Sequence, residues 1–201
     1  FGFPVTGICV KNPTNIFLYG NTINKTTNEG INWTNQSSGI PPSDVINKMT
    51  TDDVTGFIYA VTNSSGIYRS TNNGDSWEAI NTGIPLTGII SISASYSLIG
   101  AGTESSGFYY SSNSGSSWSK ANYGIATDSL SYSAVSLNSG FSVVGTRSNQ
   151  PGGSGKGIFF NLHFNNTFNY GLTDLNINSV TGPLMYYIFA ARDTCVYRTD
   201  L

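Results

Sequence analysis

The feature that most constrains this chain is an internal repeat. The run Ile67-Tyr68-Arg69-Ser70-Thr71-Asn72-Asn73-Gly74-Asp75-Ser76-Trp77 aligns without gaps with Phe108-Tyr109-Tyr110-Ser111-Ser112-Asn113-Ser114-Gly115-Ser116-Ser117-Trp118. An earlier copy runs from Ile23 through Asn28 and Gly30 to Trp33, and a worn copy runs from Ile158 to Phe168. The three tryptophans stand 44 and 41 residues apart. A unit that recurs at such a spacing buries its apolar face by stacking on its neighbours, so the period sets the architecture.

A period of about 40–45 residues fits a four-stranded antiparallel sheet repeated around an axis. The rest of each repeat agrees. Phe57-Ile58-Tyr59-Ala60-Val61 is rich in strand formers, and Asn63-Ser64-Ser65-Gly66 is a short turn after it. Ile40-Pro41-Pro42-Ser43-Asp44-Val45-Ile46, Ile84 to Ile90 and Leu172 to Ile177 each open a new unit after a box. No segment carries a helical apolar period.

The shared pattern Ser/Thr-x-Asn-x-Gly-x-x-Trp resembles the Asp-box of the BNR repeat family, which includes sialidases, sortilin-type receptors and some glucanases. The resemblance covers nearly the whole chain. It implies an all-β fold: a β-propeller of four-stranded antiparallel blades, the Asp-box joining the third and fourth strands away from the usual ligand face. Residues 1–201 read as a single propeller domain or a portion of one. The departure is Asn for Asp at Asn28, Asn72 and Asn113. Asn keeps the side-chain carbonyl that caps the turn. Gly30, Gly74 and Gly115 are expected in left-handed conformations, and Trp33, Trp77 and Trp118 to bury a large face. All nine positions read as structural.

Phe3-Pro4-Val5-Thr6-Gly7-Ile8 aligns with Ile84 to Ile89, and Val196-Tyr197-Arg198-Thr199-Asp200 aligns with Ile67 to Thr71. Four complete blades and three strands of a fifth are therefore expected. Either the chain is a window from a longer propeller, which is the favoured reading, or it is a five-bladed ring short of one strand. The second case would leave an unpaired edge open to self-association. If the ring closed, Cys9 and Cys195 would lie in neighbouring blades, where a disulfide could form.

Composition narrows the function. Charged residues are 10% of the 201, against roughly 25% in an average soluble domain, while aromatics reach 13%. The net charge is −2, and the nine Lys and Arg form no run, so nucleic-acid binding is not expected. No stretch approaches the ~20 apolar residues of a spanning helix, so neither is membrane insertion. One histidine and two cysteines without metal-ligand spacing imply neither a metal nor another cofactor. A surface of amides and hydroxyls is typical of extracellular and cell-surface proteins. Sequons at Asn24, Asn32, Asn35, Asn63 and Asn165 fit that location.

The resemblance places ligands on the face made by the second-to-third strand turns and the blade connections. The charged candidates there are Glu104, Arg147, Lys156, Arg192 and Asp193. A sialidase would need three arginines on the sugar carboxylate. The chain has four, and Arg69 and Arg198 share one third-strand repeat position, which reads as structural. The Arg-Ile-Pro signature is missing. A two-carboxylate glycosidase needs its acids about 5–9.5 Å apart, whereas Glu104 and Asp193 belong to blades two apart. Asp52 and Asp53 fall in a first-to-second strand turn, on the other face. Gly152 to Gly157 lacks the first glycine and the hydroxyl of a phosphate loop. His163 occupies the Asp position of the worn box.

No catalytic set stands out. The expectation is a non-catalytic extracellular recognition or adhesion module for carbohydrate or protein ligands. The alternatives are a portion of a sialidase- or glucanase-like glycoside hydrolase with its catalytic residues elsewhere, or a structural subunit of a surface layer or filament.

Overall fold

A computed structural model describes residues 4–121, 130–138, 141–148, 158–161, 166–167, 176–181, 187–191 and 196–200. Every regular element among them is a β-strand, and each sheet is an antiparallel meander in chain order. The first blade comprises β1 (Val5–Val10), β2 (Ile16–Gly20), β3 (Ile23–Thr26) and β4 (Thr34–Asn35). The second comprises β5 (Ile46–Thr51), β6 (Ile58–Thr62), β7 (Ile67–Ser70) and β8 (Glu78–Ala79). The third has β9 (Ile89–Ser95), β10 (Leu98–Thr103), β11 (Phe108–Ser111) and β12 (Ser119–Lys120). The fourth has β13 (Leu130–Asn138), β14 (Phe141–Ser148), β15 (Ile158–Asn161) and β16 (Asn166–Thr167). The fifth shows β17 (Ser179–Thr181), β18 (Tyr187–Ala191) and β19 (Val196–Asp200).

The blades stack face to face, with the innermost strands β1, β5, β9, β13 and β17 following one another. Strand alternation gives each blade two apolar faces. Between blades one and two lie Phe17, Tyr19, Ile23, Met49, Ile58, Ala60 and Trp77. Between blades two and three lie Tyr59, Val61, Ile67, Ile92, Ile99, Ala101 and Trp118. Ile58 and Tyr59 are adjacent in sequence, both 0% exposed, and face opposite interfaces. This is why the strands carry nearly continuous apolar runs.

The box turns explain their own sequence. The opening hydroxyl, Thr26, Ser70 or Ser111, is buried and accepts the N–H of the box glycine at 3.0, 2.8 and 2.9 Å. The same hydroxyl donates to the Asn side-chain carbonyl of Asn28, Asn72 or Asn113. That carbonyl also accepts the N–H four residues on, from Asn32, Ser76 and Ser117. Asn adds what Asp could not: its amide donates to the hydroxyls of Ser76 and Ser117. Gly30, Gly74 and Gly115 have φ of +90°, +87° and +89°. At Gly74 a Cβ would also stand 2.5 Å from the Phe17 ring.

The boxes also join blades. Trp77 Nε1 donates to Gln36 O, and Trp118 Nε1 to Ile80 O, both 2.7 Å away and one blade back. Trp33 differs, being only half-buried and donating to Gly30 O of its own box at 3.0 Å. The third-strand cations reach forward: Lys25 pairs with Asp75 at 2.9 Å, and Arg69 binds Ser114 O at 2.8 Å while pairing with Glu78. Asp52, fully buried in the β5–β6 turn, accepts the N–H groups of Val54, Tyr96 and Ser97 at 3.0, 3.2 and 2.8 Å. It thereby clips blade two to the β9–β10 turn of blade three.

Cys9 is a buried free thiol on β1, so the structure holds no disulfide to Cys195. Cys9 points into the first inter-blade core, where burial and then the nearby Asp53 charge push its pKa up to about 11, Lys48 opposing them. Cys195 lies outside the described residues.

Candidate functional site

In an antiparallel four-strand meander, the turn after the second strand and the connector into the blade emerge at one end. The first turns and the boxes emerge at the other. At the turn end of blades two and three the turn begins with a buried threonine. Thr62 Oγ1 donates to Gly66 O at 3.2 Å and accepts Ser65 N–H at 3.0 Å. Thr103 Oγ1 donates to Gly107 O at 2.7 Å and accepts Ser106 N–H at 2.9 Å. Asn63, Ser64, Glu104 and Ser105 stand exposed on these clamped loops.

The connectors are tied to the same turns. Asn63 N–H donates to Val45 O and its side-chain carbonyl accepts Val45 N–H, both at 3.0 Å. Glu104 N–H donates to Gly88 O at 2.9 Å. Asn176 Oδ1 accepts Ser148 N–H at 2.9 Å, linking blade four to the entry of blade five. Asn81 fills the space a side chain at Gly66 would need, accepting Ile67 N–H at 2.7 Å and donating to Ser65 O at 3.0 Å.

Of the sequence candidates, Glu104 and Arg147 lie at this end, exposed on the neighbouring blades three and four. Arg147 directly follows Thr146, which is buried like Thr62 and Thr103. Lys156, Arg192 and Asp193 lie outside the described residues, as does His163. Asp52 and Asp53 sit at the opposite end, with the boxes.

Asp44 is the residue that sequence reading passed over. It is 2% exposed in the connector before β5, and Ser64 Oγ donates to its Oδ1. Oδ2 is buried with no hydrogen-bond partner. Burial pushes the carboxyl up, yet the Ser64 hydrogen bond and the Ser65 and Thr62 dipoles around it hold it below the usual carboxylate range. By strand register its counterpart in blade three is Thr87, so a carboxylate stands where that blade has a hydroxyl. Asp44 stiffens the Ser64 turn from beneath and is sealed from solvent.

The arrangement offers a row of amide and hydroxyl groups on rigid turns, with Glu104 and Arg147 at its charged part. Among the described residues no cluster of three His, Cys, Asp or Glu is gathered to hold a metal.

A family model described as the DUF6242 beta propeller domain matches residues 8–151. The chain belongs to this β-propeller family. The match names the DUF6242 propeller and not the sialidase-like family that the box pattern resembles. Among solved structures, the extracellular domain of BT4673 from B. thetaiotaomicron is similar to this DUF6242 propeller with a TM-score of 0.71 at 14% identity, over 99% of this chain and 28% of that one. An ancestral GH74 enzyme gives 0.71 at 14% identity, over 96% and 30% of the two chains. The WD40 beta propeller domain of Doa1 gives 0.72 at 12% identity, over 98% and 64%. No curated protein matches in sequence. At these identities the likeness concerns the fold alone. The DUF6242 propeller spans less than a third of the BT4673 domain and of the GH74 enzyme.

Proposed function

We propose that this DUF6242 propeller is a non-catalytic recognition module that works outside the cell and binds carbohydrate at its turn end. The observation that carries the reading is the pair of clamped Thr-x-Ser-Ser-Gly turns. Their buried threonines fix the loops from within, so exposed amides and hydroxyls are presented without loop-ordering entropy to lose on binding. Neutral donors and acceptors on a rigid frame match the hydroxyls of a neutral glycan. The extracellular BT4673 domain and the GH74 enzyme among the structural neighbours are consistent with such surroundings.

The test is a glycan array with the 201-residue chain, followed by titration calorimetry on the hits. Glu104→Ala and Asn63→Ala should each weaken binding about tenfold, as loss of a well-placed hydrogen bond does. Binding to peptides but to no glycan would replace the carbohydrate by a protein ligand. Hydrolysis of a β-glucan panel, lost in Glu104→Gln, would replace the reading by the glycosidase. The geometry favours that alternative less, because a glycosidase uses two carboxyl groups, and at the described turn end Asp44 is sealed while Glu104 is exposed.

A further inference from the structure

The turn of blade two presents polar groups whose hydrogen-bonding direction is fixed from within. A serine hydroxyl has one proton and two lone pairs, and an asparagine side chain pairs a carbonyl acceptor with an NH2 donor. What each offers a ligand depends on what the protein has already engaged. Asn63 and Ser64 are both exposed on this turn. The Val45 N–H can only donate, so the Asn63 atom 3.0 Å from it is the carbonyl oxygen Oδ1. The amide Nδ2 is the group left to the surface, and no hydrogen bond engages it among the described residues. Asn63 therefore faces a ligand as a donor.

Ser64 is directed the opposite way. Its Oγ donates to Asp44 Oδ1, while Asn63 Oδ1, 3.4 Å off, is too distant to compete for the single proton. Asp44 Oδ2 is buried without a partner, so the carboxylate depends on the proton that Ser64 gives. The Asp44 carboxyl is held below the usual carboxylate range and is ionised at neutral pH, where it can only accept. The Ser64 proton thus points inward and its lone pairs outward. Blade three lacks this arrangement. Ser105 stands where blade two has Ser64, but Thr87, whose hydroxyl can donate or accept, replaces Asp44, and Glu104 replaces Asn63.

We infer that Asn63 and Ser64 together read an unsubstituted vicinal diol of a neutral saccharide chain, one hydroxyl accepting from Asn63 Nδ2 and its neighbour donating to Ser64 Oγ. The inference rests on the carbohydrate reading above and narrows it. Hydroxyls on adjacent ring carbons lie close enough to meet both groups at once, and each can play either part. A carboxylate or phosphate can only accept, so it would meet the lone pairs of Ser64 and be rejected. Asp44 is the positioning residue: sealed from the ligand, it sets which way Ser64 faces.

Depletion of the chain from solution by insoluble polysaccharides tests it. Amorphous cellulose, linear mannan and cross-linked dextran carry adjacent hydroxyls along their chains, whereas curdlan, linked through O3, carries none within its chain. At least one of the first three should bind, and curdlan at least about tenfold more weakly, as loss of a hydrogen bond predicts. Periodate, which cleaves the bond between vicinal hydroxyl carbons, should abolish binding to the matrix that binds. Asn63→Asp keeps the acceptor for Val45 but turns the outward donor into an acceptor. Ser64→Ala removes the outward lone pairs, and Asp44→Asn offers Ser64 a donor and releases its proton. Each should weaken binding about tenfold. Circular-dichroism melts identify folded variants, and the two exposed positions carry the test should Asp44→Asn not fold. Equal binding to curdlan, or wild-type affinity in Asn63→Asp, overturns the diol while the carbohydrate reading stands. Binding to none of the four overturns the inference, and an array without a single glycan hit overturns the underlying reading as well.

Discussion

Replacing Asp52 by alanine tests whether the blades are held by specific clips as well as by apolar contact. The Asp52 side chain is 0% exposed and its two oxygens accept three N–H groups within 3.2 Å, two of them from the next blade. Those two belong to Tyr96 and Ser97, non-glycine residues held at φ of +53° and +67°. Hydrogen bonds to a charged group contribute about 1.5–3 kcal/mol each, less where the freed donors regain water. Tyr96 is exposed, so its N–H recovers solvent and the sum is well below three full bonds. A loss of about 3 kcal/mol is expected for Asp52→Ala, which for a chain of this size lowers Tm by about 6–12 °C. The pH dependence supplies a second reading. Burial raises the carboxyl pKa, but hydrogen bonds from Ser97, Val54 and Thr55 bring it below the usual value. A depressed carboxylate stabilises the fold above its unfolded pKa of about 3.9, and that contribution is lost as pH falls through the lower folded value. Asp52→Asn should therefore flatten the acid limb of a Tm-versus-pH curve below about pH 4 while lowering the plateau above it. Scanning calorimetry measures both. A Tm for Asp52→Ala within experimental error of wild type, or an unchanged acid limb for Asp52→Asn, would refute the clip.

Three further outcomes follow from the same geometry. Gly74→Ala, with φ of +87° and a Cβ 2.5 Å from Phe17, should destabilise by more than about 2 kcal/mol, whereas Gly88→Ala, with φ of +72° and nothing within 4 Å, should cost only about 1 kcal/mol; urea titration of both separates strain from overlap. Trp118→Phe leaves the buried Ile80 carbonyl without its partner and should cost about 1–2 kcal/mol beyond any packing change, and Trp33→Phe, whose donor serves its own exposed box, should cost less than half of that. Cys9, with its pKa near 11, should react with iodoacetamide at pH 8 at least a hundredfold more slowly in the folded Cys195→Ser chain than in urea, and equal rates would contradict its burial.

The architecture was legible because the repeat exposes every structural requirement more than once. The hydroxyl, Asn, Gly and Trp of the boxes are each dictated by local hydrogen bonding, and local chemistry can be read from a sequence. The strand runs were equally plain, since residues such as Ile58 and Tyr59 must be apolar on both sides. What could not be read was pairing across blades. Nothing in the neighbourhood of Asp52 announces that its partners are Tyr96 and Ser97, and a carboxylate in a turn reads as solvated. Asp44 escaped notice for the same reason: its burial depends on a serine twenty residues on, in a different loop. Topology located the end that carries the second-to-third strand turns, but the charged candidates there divide. Glu104 and Arg147 are placed on neighbouring blades, and the other three fall outside the described residues.

The backward reach of Trp77 and Trp118 bears on how such a chain is made. Each indole seeks a carbonyl roughly one repeat earlier in the polypeptide, so its acceptor has already left the ribosome when the indole emerges. Synthesis and docking then proceed in the same direction. Each new blade can then dock on the finished one before it, so the apolar surface that growth newly exposes is the last blade's leading face. Folding by short-range increments keeps contact order low for an all-β protein, and it confines the danger of misassembly during synthesis to one advancing edge.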